Sequence, residues 1–75
     1  MKFAELKAVC AANHYIIHAT DAEGRRRTEE INLFETVDCY RKLGQYDDAE
    51  LLRFTAKTGW WDDDIIAVLE VELRV

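Results

Sequence analysis

The chain has 75 residues, enough for one small domain, and its 49% hydrophobic and 33% charged residues describe a globular rather than a disordered protein. No apolar run approaches 18 residues, which argues against a transmembrane helix, and Glu5 and Lys7 interrupt any apolar core of a leader peptide. The expectation is a cytoplasmic protein folded as a single domain over residues 1–75, without membrane contact. The formal net charge of −5 falls entirely in the second half: residues 1–34 hold five basic and five acidic residues, residues 35–75 five basic and ten acidic. A phosphate-binding protein shows the opposite sign.

Residues 3–12 read as a first helix. Phe3, Leu6 and Cys10 recur at helical spacing with Val9 beside them, and Asn13 is a suitable stop. Residues 14–20 (HYIIHAT) are rich in β-branched and aromatic residues and alternate as a strand. Asp21 to Gly24 form a turn, and residues 25–31 return as a polar edge strand. Asn32, with Glu35 three residues on, has the spacing of a capping box. A second helix is expected from there to Gly44, with Leu33, Val37 and Tyr40 on one stripe. Residues 50–58 fit a strand, with a capped helix as the alternative. Residues 65–75 alternate from Ile65 to Val75 and make a long strand that needs a partner. The expected fold is α+β, in the order α-β-β-α-β-β, with two helices on one face of an antiparallel four-stranded sheet.

No catalytic signature accompanies this plan, so a non-enzymatic role is expected. Cys10, His14 and His18 are spaced by four, but a strand sets the two histidines about 13 Å apart, too far for one ion. Cys10 and Cys39 read as free core thiols. Asp62, Asp63 and Asp64 lack the glycine and ligand spacing of a calcium loop. No metal or cofactor is expected. Arg25, Arg26 and Arg27 are the one basic run, and they support the alternative of a small nucleic-acid binder. Trp60 and Trp61 are the most suggestive pair. On a strand they face opposite ways, and an exposed Trp beside three aspartates suits a protein anchor. Asp47 and Asp48 add a second acidic cluster. Ile66 and Val68 make the start of the last strand apolar on both faces, so a patch around them and Trp60 or Trp61 is expected to meet a partner or a second copy.

The segments FAELKAVC, YIIHATDAEG, NLFETVDCYRKLG and LLRFTAKTGWWDDDIIAVLEVEL together cover most of the chain. In their order the sequence resembles the small acidic accessory proteins of phages and conjugative elements of Gram-positive bacteria. The Arg triplet and the Trp pair depart from that pattern. The resemblance implies action by protein binding. Some such proteins inhibit host defence, including CRISPR nucleases, so it implies a basic nucleic-acid-binding surface as partner.

Overall fold

In a computed structural model of the chain, described for all residues except 36 and 37, the elements run α1 (Phe3–Val9), β1 (His14–Thr20), β2 (Arg26–Asn32), α2 (Asp38–Gly44), β3 (Glu50–Trp61) and β4 (Asp64–Arg74). The four strands form one sheet in the order β2-β1-β4-β3. Two antiparallel hairpins meet through their most apolar strands, and β1 runs parallel to β4, with Ile17 opposite Val71. The sheet is therefore mixed, not antiparallel throughout as expected. Alternation fixes which face a side chain takes but not the direction of the neighbouring strand. The apolar strands take the centre because both their edges are then paired, and the polar β2 and β3 take the rims.

Residues 50–58 are strand, and β3 continues to Trp61. α1 ends at Val9, three residues early, because Cys10 turns to an extended conformation (φ −123°). Glu5 accepts the Lys2 amide at 3.1 Å and so ties down the start of this short helix. The larger difference is at Asn32. Its Oδ1 accepts the Phe34 amide at 2.9 Å and its carbonyl accepts the Glu35 amide, so Leu33 to Glu35 form a turn and the described helix begins at Asp38. The expected stripe position Val37 lies outside the described residues. Tyr40, assigned to the same stripe, is exposed.

One cluster makes the main core. Phe3 and Leu6 of α1, Cys39 and Leu43 of α2, and Tyr46 and Ala49 pack on Tyr15, Ile17 and Ala19 of β1, Ile31 of β2, and Leu69, Val71 and Leu73 of β4. Phe3 meets Tyr15 edge-on, with centroids 5.9 Å apart. Cys39 is buried in this core and Cys10, half-buried, packs against it. The helices cover only part of this inner face. Its radius of gyration is 12.1 Å and its longest dimension 40 Å, against about 11.3 Å expected for a compact chain of this size. The excess length is the outer part of the β3–β4 hairpin, which runs past the helices as an arm. Among the described residues, no helix is long and apolar enough to cross a membrane.

Candidate functional site

The arm is closed by a two-residue turn. Asp62 (φ 46°) and Asp63 (φ 67°) both have positive φ, as a tight turn between right-twisted strands requires, and Asp tolerates that conformation better than most residues. All three aspartates at the tip are exposed.

The register Trp60↔Ile65 and Trp61↔Asp64 sends the two tryptophans to opposite faces. Trp60 shares the helix-side face with Phe54, Ala56, Thr58, Ile65 and Ala67. Beyond the helices this face is open, with Trp60 71% and Ile65 66% exposed; nearer the main core, Phe54 on the edge strand opposite Val71 is 47% exposed. The result is an apolar stripe along the arm, ending at the acidic turn.

Trp61 lies on the other face, half-buried and stacked on Phe34 with centroids 6.3 Å apart. Ile66 and Val68 share that face. The exposed patch expected around them does not form, since each is only 6% exposed. The turn after β2 brings Phe34 over to Trp61. Val68 leans across Gly59, where its Cγ2 would lie 2.9 Å from any added Cβ. Gly59 is thus the hole into which Val68 packs. Ile66 and Val68 form a small second core, and the exposed patch lies on the opposite face, around Trp60.

The two acidic clusters do not form one surface. β3 separates them by about 35 Å of strand. Asp47 pairs with Lys7, and the exposed Asp48 lies 3.7 Å from Lys2, so α1 and its N-cap offset part of the charge of the inner cluster. The arginine run is also divided. Arg25 pairs with Asp21 and Glu23 at the first turn, Arg26 pairs with Glu72 at 3.2 Å, and Arg27 takes the face opposite to Arg26.

Sequence reasoning missed a polar ladder across the helix-free face. His18 Nδ1 lies 2.9 Å from Thr28 Oγ1, and its Nε2 lies 2.6 Å from Glu70, which also accepts Lys57 Nζ at 2.9 Å. Glu72 is shared by Arg26 and Arg53. The hydrogen bond from His18, then that from Lys57, holds the Glu70 carboxyl down at about 2. Arg53 lowers Glu72 in the same sense. The depression between these residues measures about 130 Å³, well short of the several hundred usual for small-molecule sites. Its charges are satisfied by one another. The signal for this ladder was the parallel register of β1 and β4, which the sequence does not display. Among the described residues, no cluster of three or more His, Cys, Asp or Glu could hold a metal.

No family model, curated protein or solved structure matches the chain.

Proposed function

We propose that this chain is a non-enzymatic accessory protein that works by binding another protein through the outer part of the β3–β4 arm. One observation carries the reading: Trp60 and its cross-strand neighbour Ile65 are exposed together on one face, next to three exposed aspartates, and Phe54 is exposed further along the same face of β3. Scattered surface hydrophobics need no explanation, but a contiguous stripe of this kind marks a contact surface. Trp is the residue most enriched where binding energy concentrates. The complementary partner has an apolar cleft rimmed by Lys and Arg. A protein with a basic nucleic-acid groove offers that chemistry, so inhibition of a nuclease is the specific form of this reading. The nucleic-acid alternative has weaker support, because Arg25 and Arg26 are engaged by carboxylates and Arg27 faces away from Arg26.

Of the residues expected to make the contact, Trp60 and Asp62 to Asp64 are retained. Trp61, Ile66 and Val68 serve the second core, and Asp47 and Asp48 pair with α1 and its N-cap. The test compares capture of proteins from cells of the source by the wild type, a Trp60→Lys variant and an Asp47→Asn, Asp48→Asn variant. The reading predicts a captured protein that is lost with Trp60→Lys and kept with the double variant. Capture indifferent to Trp60, by a variant that melts like the wild type, overturns it.

A further inference from the structure

We propose that β3 pairs edge to edge, antiparallel, with β3 of a second copy, joining two four-stranded sheets into one of eight strands. The proposal rests on the reading of the arm as a binding surface and names its occupant in the isolated chain.

The first argument is the backbone. β3 has β4 on one side. On its other side, among the described residues, it meets only the first two residues of the chain, through the Lys2–Glu50 bridge and the bond from the Leu51 amide to the Met1 carbonyl. From Arg53 to Trp61 the edge is open. It has no proline, and its one irregularity, at Leu52, lies before that stretch. A long, regular open edge is a template for a further strand.

The second argument is what protects the edge. Proteins usually blunt such strands with lysine or arginine standing over the rim. Here Arg53 and Lys57 are both drawn inward across the sheet, onto Glu72 and Glu70 of the neighbouring β4. The other face of the open edge carries Phe54, Ala56, Thr58 and Trp60, without a charge.

The third is register and charge. A two-fold axis at Thr58 sets Ala56 beside the second copy's Trp60 and Thr55 beside its Trp61. Lys57 then faces Gly59, over which Val68 packs. The second copy's strand turns at Asp62 to Asp64 just before Lys2 blocks the edge. Each acidic turn thus lands near Lys2 and Arg53 of the other copy, which already pair with Asp48 and Glu72 but keep 61% and 77% of their side chains exposed to a further carboxylate, and antiparallel pairing makes this contact twice.

The area is that of a modest dimer. With about 150–250 Å² per whole aromatic side chain, the exposed parts of Phe54 and Trp60 in two copies amount to roughly 500 Å². Nine strand residues at about 3.3 Å each add a ladder of about 30 Å. This apolar contact is smaller than the about 1,200 Å² at the lower end of stable interfaces, so the ladder has to supply the rest and the dimer is expected to be weak.

Sedimentation equilibrium of the full chain tests this over about 5–300 µM, beside Ala56→Lys and Trp60→Lys variants checked by thermal melting. The expected result is a concentration-dependent species of twice the 8.7 kDa chain mass, weakened at least about tenfold by either variant. A Thr28→Lys variant on the opposite edge strand should dimerise like the wild type. A wild type that stays monomeric throughout, or a dimer indifferent to Ala56 and Trp60, overturns the proposal. If a monomeric wild type still captures a partner through Trp60, the second copy is the wrong occupant and the reading of the arm stands. If Trp60-dependent capture fails as well, both fall.

Discussion

Ile65 and Val71 lie on the same strand and the same face, six residues apart, yet Ile65 is 66% exposed and Val71 fully buried. Val71 stands opposite Ile17 in β1 and Phe54 in β3, at the middle of the main core. Val71→Ala deletes two methyl groups. At about 0.8 kcal/mol each the transfer loss is about 1.6 kcal/mol. A residual hole of about 40 Å³ adds about 1 kcal/mol. The total of about 2.5 kcal/mol is a large part of the 4–11 kcal/mol that roughly 0.05–0.15 kcal/mol per residue gives this chain. It should lower Tm by roughly 10–20 °C. Ile65→Ala deletes a larger group, but only about a third of it is out of water and no closed hole remains, so the cost should stay below about 1 kcal/mol. Paired urea and thermal melts followed by circular dichroism measure both. Equal losses at the two sites, or a Val71→Ala loss below about 1 kcal/mol, would refute the placement of the helices over one end of the sheet.

Gly59→Ala should destabilise by about 1–3 kcal/mol in the same melts, because the new Cβ meets Val68 Cγ2 at 2.9 Å inside the second core. Asp63→Gly should stabilise by up to about 1 kcal/mol, since it relieves an L-residue of positive φ at the tip of the arm; a loss would contradict the turn geometry. Glu70 is held low by His18 and Lys57, so its stabilising contribution is complete above the ordinary carboxylate range and fades as pH falls through about 2. An NMR titration of its carboxyl carbon should place the midpoint near that value, and a midpoint above 4 would show that the ladder does not form.

Periodicity alone was enough to place β1 and β4, because each alternates over seven or more residues and sets one side in the main core. The direction of their pairing was not legible, since period-two alternation is the same for parallel and antiparallel neighbours. The capping signature at Asn32 misled for a related reason. Asn and Glu three residues apart cap a helix, but the same Asn side chain can close a local turn, and here its Oδ1 holds the Phe34 amide. Ile66 and Val68 are buried on the face without helices. That face also carries the Phe34–Trp61 stack and the close approach of Val68 to Gly59, which no local pattern announces. The Trp pair was legible as two opposite faces. Which Trp is exposed followed only once the helices and Phe34 had taken their places.

The central claim, that the helix-side face of the arm is the contact surface, is tested most directly by position-specific crosslinking. A photoreactive residue replaces Ile65 in one version of the chain and Thr28, on the opposite edge strand, in another. Both are irradiated in cells of the source and as purified protein. The account predicts adducts from position 65, with a second copy or with a partner protein, and none from position 28. Equal yields at the two positions, or adducts from position 28 alone, would contradict it.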